Sequence, residues 1–286
     1  MLSSTLGDPT AKVLTDAQLR TLARRAGMLK VDDPDREMTL EDFAAMGYSA
    51  EEGKRILALL SRQEQLDWYL KKAAACDVYP ITRVSPEYPH KLRLRLGLDA
   101  PGCLWAKGDH RLLEAPTVGL VGSRELLEDN RAFAREAGIQ AARQEYVLVS
   151  GNARGADREA QEACLKEGGF VISVVGDEIA QLPKQENILY LSEVGFDLSF
   201  TPQRALHRNA VIHSLADRML VAQCSLEKGG TWNGTVRNLR GQYSPVFCYD
   251  DGSEAMKRLM ALGATAIEFS NLKDLSGLCA DISLFP

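Results

Sequence analysis

The chain has 286 residues with a formal net charge of −5, and 45% of its residues are hydrophobic and 26% charged. This composition is that of an ordinary folded protein, so the collagen-like and intrinsically disordered classes are excluded. The length indicates about two domains, and neither a run of ~20 apolar residues nor a signal-peptide pattern is present, so we expect a cytoplasmic protein with no membrane partner.

Residues 1–75 read as a small all-helical domain, of the kind seen in SAM or helix-hairpin modules. Thr15 with Gln18, and Ser49 with Glu52, have the spacing of a capping box, and apolar residues follow each pair at helical intervals. No basic hairpin is evident between the predicted helices. We therefore expect this domain to serve packing or protein contact more than nucleic-acid binding.

Residues 76–116 are rich in proline and break the helical pattern. Pro80, Pro86, Pro89 and Pro101 preclude a long helix. We predict an extended connector that packs on the core and carries a short helix near residues 88–96.

From residue 117 the pattern alternates between strand and helix. The predicted strands lie near 117–122, 146–150, 170–175, 189–194, 218–223, 245–249 and 265–269. The predicted helices lie near 126–144, 155–167, 203–216, 231–241 and 252–262. Nearly continuous apolar strands such as "FVISVVG" are typical of a parallel sheet covered on both faces. The pattern predicts a doubly wound α/β domain with a mostly parallel sheet over residues 117–270, followed by a tail at 271–286, with ligands at the carboxyl ends of the strands.

Glycines, hydroxyls and cations collect in the turns at that edge of the predicted sheet. In chain order these candidates are Gly122, Ser123 and Arg124; Ser150, Gly151, Arg154 and Gly155; Lys184; Arg208 and Asn209; and Gly229, Gly230 and Thr231. Glycine lets backbone N–H groups approach an anion, and Arg and Lys supply positive charge. Because Arg124, Lys184 and Arg208 stand on separate turns of one edge, the sequence predicts a shared anion site.

The motifs narrow the choice of anion. "GLVGSR" is not GxGxxG, and no acidic residue ends the second strand to hold a ribose hydroxyl. A GxxxxGK[ST] loop is also missing. A dinucleotide cofactor and P-loop ATP chemistry are therefore disfavoured, and we assign no cofactor.

Catalytic and metal-binding patterns are sparse. His207 and His213 stand in no catalytic context, and we interpret them as solvated or capping residues. Glu193, at a strand end, is the one carboxylate that we keep as an acid–base candidate. The six cysteines form no CxxC pair and have no histidine at ligand spacing, so we expect them to be small buried side chains. We assign no catalytic residue and no metal.

Four segments, "VGSR", "SGNARGAD", "LPKQEN" and "HRNAVIHSLADRMLVAQ", resemble in order and spacing the DprA/Smf family of DNA-processing proteins. The Pro-rich stretch and the helical N-terminus are similar to that family as well. The resemblance implies a Rossmann-like domain that binds single-stranded DNA, often dimerises and, in transformable bacteria, serves a RecA-type recombinase.

By the same resemblance, Arg124, Lys184 and Arg208 with Asn209 fall on the basic phosphate-binding pocket of the family. Ser150, Gly151, Arg154, Gly155 and Asp157 match its SGxARGxD turn. We interpret Asp157 as a residue that favours the helix dipole and pins either Arg154 or the glycine turn. Backbone phosphates are then the expected ligand, with steep salt dependence.

The sequence also departs from the family's pattern. Ala210 stands where the family usually has a second arginine after "RN", and Asn152 replaces an apolar residue in the SGxARGxD turn. "KGGTWNGTVRNLR" differs from the usual SGSxxTA segment. We also expect no C-terminal winged helix. These departures bear on a role in transformation more than on phosphate binding, and DNA uptake, general recombination and phage defence stay open.

Two other functions stay open at this stage. One is a phosphoribohydrolase of the cytokinin-activating class, whose PGGxGTxxE segment carries a glutamate that acts at the ribose. Here Arg237 follows "NGT" instead of that glutamate. The other is a sensor that binds a small nucleotide signal in the same pocket.

Overall fold

The structure is a computed structural model and describes residues 2–8, 10–29, 33 and 36–278. The chain divides into two compact units, Met1–Cys76 and Asp77–Pro286. Residues 279–286, which include Cys279 and half of the predicted tail, lie outside the described residues. Among the helices that are described, none has both the length and the apolar character that crossing a bilayer requires.

In its described residues, the first unit contains four helices around a small apolar core. They are α1 (Asp16–Ala26), α2 (Leu40–Ala45), α3 (Ala50–Leu60) and α4 (Gln63–Ala74). Both predicted capping boxes are confirmed, since Thr15 caps α1 with Gln18 and Ser49 caps α3 with Glu52. The buried core is formed by Leu14, Phe43, Met46, Ile56 and Leu59.

The second unit alternates strands and helices. The strands are β1 (Tyr79–Thr82), β2 (Cys103–Lys107), β3 (Thr117–Val121), β4 (Val147–Ser150), β5 (Val171–Val174), β6 (Ile188–Ser192), β7 (Arg218–Val221), β8 (Val246–Tyr249) and β9 (Thr265–Ile267). The helices are α5 (His90–Leu96), α6 (Glu128–Arg143), α7 (Ala156–Lys166), α8 (Pro202–Leu215), α9 (Gly229–Gly241) and α10 (Glu254–Ala261). Every strand and helix predicted after residue 117 is confirmed to within two residues at each end.

The nine strands of the described residues join one sheet in the order β1-β2-β6-β5-β4-β3-β7-β8-β9. The pairs from β6 to β9 are parallel, and β1 and β2 are antiparallel at one edge. The predicted connector at 76–116 thus supplies two strands together with the predicted short helix, α5. Pro80 lies in β1, the outermost strand, where a missing N–H group is tolerated.

The order of the strands fixes where a ligand can enter. From β3 the chain moves outward through β4, β5 and β6, and it then returns along α8 to place β7 on the other side of β3. The winding direction therefore reverses between β3 and β7. In a doubly wound sheet this reversal opens a crevice at the carboxyl ends of those two strands.

Two helices on one face of the sheet, α6 and α7, approach each other closely at Gly138. A Cβ atom built on Gly138 would lie 2.1 Å from the carbonyl oxygen of Ala160 in α7. Since that neighbour is backbone, the two helices would have to move apart to accept a methyl group. Glycine at this position therefore sets the distance between α6 and α7.

Replacing Gly138 with alanine should destabilise the protein although alanine is the better helix former. The clash should outweigh the gain in helix propensity and lower the free energy of unfolding by at least about 1 kcal/mol. Urea denaturation measures this free energy of unfolding. Gly102→Ala is the matched control, because a Cβ there meets nothing within 4 Å. Equal unfolding midpoints for the two variants would contradict this account of the packing.

Candidate functional site

A cleft of about 980 Å³ opens at the crevice between β3 and β7, and we call it the first cleft. Its walls are the turn after β3, the loop after β7, the N-terminus of α9 and one face of α8. Most of the residues predicted from the turns line it: Gly122, Ser123, Arg124, Arg154, Arg208, Asn209, Gly229, Gly230 and Thr231. The structure therefore brings together turns that are more than 100 residues apart in sequence.

A second cleft, of about 730 Å³, adjoins the first one along the sheet edge. The two clefts share Arg124, Arg154, Phe200 and Arg208 among their lining residues. The second cleft adds Gly151 and reaches the loop after β5. The predicted Gly155 lines a smaller adjoining recess of about 330 Å³. Together these recesses form a continuous groove at the carboxyl edge of the sheet.

The turn after β3 is held from three sides. The Ser123 N–H donates to the carbonyl of Gln223 over 2.9 Å, and the Ala156 N–H donates to the carbonyl of Ser123 over 3.2 Å. The Thr231 hydroxyl donates to the carbonyl of Gly122 over 2.9 Å. This turn is therefore anchored to the loop after β7, to α7 and to α9 at once, and it forms a corner of the first cleft.

Gly155 allows the turns after β3 and β4 to touch. Its φ of +89° is in the region that favours glycine, and a Cβ there would lie 2.3 Å from the carbonyl oxygen of Ser123. Arg124 extends from this contact into solvent. Within the described ranges, its side chain forms no hydrogen bond and no ion pair, so the guanidinium is available to a ligand that enters the groove.

Asp157 organises the SGNARGAD turn from inside. Its carboxylate is buried and accepts hydrogen bonds from the N–H groups of Gly151, over 3.1 Å, and Ala153, over 3.3 Å. Burial raises the pKa of this carboxyl, and the nearby charge of Arg208 opposes the rise. Asn152 has a φ of +57°, a left-handed conformation that asparagine tolerates better than an apolar residue does. This geometry accounts for asparagine at a position where an apolar residue was expected.

Of the two roles considered for Asp157, the structure supports pinning the glycine turn. Arg154 is not held by Asp157. It is largely exposed and lies 3.6 Å from Glu125, which follows the turn after β3. Because both of these side chains are open to solvent, the pair contributes little to stability and can open for a ligand.

Arg208 is the most deeply placed cation of the groove. Only 7% of it is exposed, and its Nη1 donates to the carbonyl of Val174 over 2.7 Å. A Cβ on Gly151 would fall 1.6 Å from this Nη1, so the guanidinium needs a glycine there. Burial lowers the pKa of Arg208, and the charge of Asp157 opposes this shift. Among the described side chains, no carboxylate comes within ion-pair distance of Arg208, so its charge is only partly compensated.

His213 lies on α8, lines the first cleft and is 1% exposed. Its Nδ1 is 3.0 Å from the Nδ2 of Asn238. The Oδ1 of Asn238 accepts the N–H of Ser244, so Nδ2 faces the ring and donates to Nδ1. The neutral ring must then carry its proton on Nε2. Burial lowers the pKa of His213 to about 3, which keeps the ring neutral near pH 7.

Besides Gly155, three candidates lie outside the lining of the two large clefts. Ser150 is fully buried at the end of β4, and Glu193 directly follows β6. Lys184 is exposed on the loop between β5 and β6, two residues beyond Leu182, which lines the second cleft. Because β5 and β6 are parallel, this loop must return toward the amino end of β6, and it carries Lys184 away from the first cleft.

Sequence reasoning missed several residues of the groove. His213 was interpreted as solvated or capping, and its burial depends on Asn238, which is 25 residues away. Lys228 lines the first cleft directly before the two glycines that open α9, and its position beside them was the available signal. Phe200 lies at the border of the two clefts, after β6, where no motif marked it.

Two other kinds of site, a metal site and a phosphoribohydrolase site, can be compared with the described part of the chain. No group of three His, Cys, Asp or Glu side chains there is placed to hold a metal ion. Arg237, at the position that corresponds to the phosphoribohydrolase glutamate, donates to the Tyr243 hydroxyl over 3.2 Å and is not part of the lining of the first cleft.

A doubly wound α/β sheet with glycine-rich turns at its switch point defines a Rossmann-like protein. The sequence model of the family described as DNA recombination-mediator protein A matches residues 80–276, all within the second unit. The chain belongs to this family, the DprA/Smf DNA-processing proteins.

Two curated relatives are similar to the chain in sequence. The DNA processing protein DprA of Streptococcus pneumoniae is 35% identical over 141 residues, which cover 46% of the chain and 50% of that protein. The chain thus matches half of that relative's length. DprA of Bacillus subtilis is 26% identical over 241 residues, 78% of the chain and 79% of that protein.

Two solved structures share the fold. The X-ray structure of DprA from S. pneumoniae has a TM-score of 0.69 at 25% identity, over 89% of this chain and 90% of that one. DNA processing protein A from Helicobacter pylori has a TM-score of 0.57 at 22% identity, over 68% and 94%. The latter structure was described for a unique single-stranded DNA binding mode of that protein.

His213 should make the stability of the protein depend on pH. Its native pKa of about 3 lies below the ordinary value of 6.5, so between these values only the unfolded chain takes up the proton. Stability should therefore fall as the pH drops below 6.5, by up to about 1.4 kcal/mol per pH unit from this group. Urea unfolding of the wild type and His213→Asn at pH 4 to 7 measures the difference. Parallel pH profiles would show that His213 is not buried as a neutral ring.

Proposed function

We propose that the chain binds single-stranded DNA through its backbone phosphates in the groove at the carboxyl edge of the sheet, and so acts in DNA processing or recombination. The observation that carries the proposal is Arg208. Its guanidinium is buried, and the nearby carboxylate of Asp157 compensates its charge only in part. Such a cation is costly, and an anion in the groove would complete the compensation. Its place in the lining of both clefts would put that anion at their border.

The charge along the first cleft supports an anionic ligand. Arg124, Arg154 and Lys228 add positive charge around Arg208. The two acidic residues that line the first cleft already have partners. Glu125 pairs with Arg154, and Asp157 binds the glycine turn. The N-terminus of α9 adds free backbone N–H groups and the positive end of the helix dipole. This local excess exists although the whole chain is negatively charged.

The extent of the groove favours a strand over a single nucleotide. Its walls come from the turns after β7, β3, β4 and β5, four neighbouring strands of the sheet. Strands in a sheet lie about 4.8 Å apart, so the groove extends for roughly 14 Å across them. Cations along such a path can contact successive phosphates of an unpaired strand. Membership of a DNA-processing family points to the same class of ligand.

Family membership also suggests protein partners. We propose a second copy of this chain and a RecA-type recombinase, the two partners that the DprA/Smf resemblance implies. Sedimentation of the purified chain tests the first, and pull-down with a RecA-type protein, with and without oligonucleotide, tests the second. A monomer at micromolar concentration or no recovered recombinase would refute the respective proposal.

Removing one exposed cation should weaken binding and reduce its salt dependence. Arg124→Ala and Lys228→Ala, at two exposed cations of the first cleft, should each lower the affinity for labelled oligo-dT. Each should also reduce the slope of log affinity against log salt by about 0.7, because one phosphate contact is lost. Since the two side chains lie on different loops, the effects should add in the double variant. Fluorescence anisotropy over a salt series measures both quantities.

Lys166→Ala is the matched control for these variants. Lys166 is an exposed cation at the end of α7, at the opposite edge of the sheet from the groove. Lys166→Ala should leave the slope of log affinity against log salt unchanged. An equal loss for Lys166→Ala and Arg124→Ala would show that only total charge matters, and no binding by the wild type at low salt would refute single-stranded DNA as the ligand.

A further inference from the structure

One face of α8 borders the first cleft, and its side chains change from apolar to polar along the helix. Pro202, Ala205, Leu206, Asn209 and His213 line the first cleft, and their spacing places them on one face of the helix. The face begins with apolar side chains and ends with an amide and an imidazole. None of these five residues is charged near pH 7. Arg208, also on α8, lines the cleft beside them, and the cations Arg124, Arg154 and Lys228 lie on the other walls.

The imidazole at the deep end has an unused donor. The proton of the ring is on Nε2, because Nδ1 accepts from Asn238. Within the part of the chain that the structure describes, Nε2 is buried and has no hydrogen-bond partner. Leaving a buried N–H group unpaired is unfavourable by an amount comparable to a lost hydrogen bond, so an acceptor on a ligand that reached this atom would gain that energy.

The neighbouring helix, α9, carries no side chain at the point where it passes this donor. A Cβ atom on Gly234 of α9 would lie 3.1 Å from the Nε2 of His213 and 3.4 Å from the Nδ2 of Asn209. Any side chain at position 234 would therefore cover the imidazole. The amide of Asn209 is already engaged, since it donates to the carbonyl of Gly230 over 3.0 Å. His213 is thus the available donor on this face of α8.

We propose that the face of α8 from Leu206 to His213 takes up one nucleobase of the bound strand, and that the Nε2–H of His213 donates a hydrogen bond to an acceptor on the edge of that base. This inference rests on the proposed binding of single-stranded DNA. Apolar walls with a few placed polar groups suit a base, whereas phosphates suit the cations and N–H groups elsewhere in the groove. A neutral donor with a fixed tautomer adds recognition without adding to the salt dependence.

The test compares an oligo-dT strand with an abasic strand of the same length. The wild type should bind oligo-dT more tightly. His213→Asn keeps an acceptor near the position of Nδ1 but removes the Nε2 donor, so its affinity for oligo-dT should fall about fivefold, the effect of one neutral hydrogen bond. Its affinity for the abasic strand should not change. His213→Gln places an amide N–H near the position of Nε2 and should restore much of the preference.

The possible outcomes distinguish the base contact of His213 from the proposed binding of backbone phosphates. If His213→Asn binds both strands as the wild type does, His213 does not contact a base, and the phosphate proposal stands. If His213→Asn loses affinity equally for both strands, its role is structural and this inference is wrong. If the wild type binds neither strand, the proposed function itself fails.

A second measurement covers the case in which His213→Asn does not fold. In the wild type with ¹⁵N-labelled histidine, the NMR resonance of His213 Nε2 should shift on addition of oligo-dT and not on addition of the abasic strand. The same response to both strands would overturn the proposal.

Discussion

The contact between the Arg208 guanidinium and the bare backbone of Gly151 is the constraint on which the groove depends. It requires that position 151 carries no side chain, because a Cβ would overlap Nη1. It also requires that the turn after β4 stays in place, which the buried Asp157 achieves through two backbone N–H groups. With the turn fixed, α8 can pack against β3, β4 and β5 and present one face to the first cleft.

A chain with a net charge of −5 can hold a polyanion only if its cations are concentrated where the ligand lies. The fold achieves this by geometry. Parallel strands end at one edge of the sheet, so residues from separate turns meet there, while several other arginines are paired with acids elsewhere. Arg143 at the end of α6, for example, pairs with Glu167, directly after α7. Buried cations and exposed ones then have different tasks, since Arg208 is fixed in position and Arg124 is free to adapt.

The fold was largely predictable from the sequence, because its signals are local. Continuous apolar runs marked the buried parallel strands, and Thr15 and Ser49 marked helix starts. The two antiparallel strands were not predicted, because the Pro-rich residues 76–116 were interpreted as an extended connector. The edge of a sheet tolerates Pro80 in β1.

The site was less predictable, because it depends on contacts between distant residues. The turns with Arg124 and Arg208 could be assigned to one edge, but the order of the strands decides which turns adjoin. Lys184 illustrates this, since its loop must return toward the start of β6. His213 could not be recognised as buried and neutral without its partner Asn238 in α9.

Amide hydrogen–deuterium exchange with and without oligo-dT tests the central claim most directly, because it reports on the backbone of each turn. Our account predicts slower exchange at the turn after β3, at the SGNARGAD turn and at residues 229–231 when DNA binds, with no change at the far end of α7. Protection confined to the helical N-terminal unit, or to the opposite edge of the sheet, would contradict it.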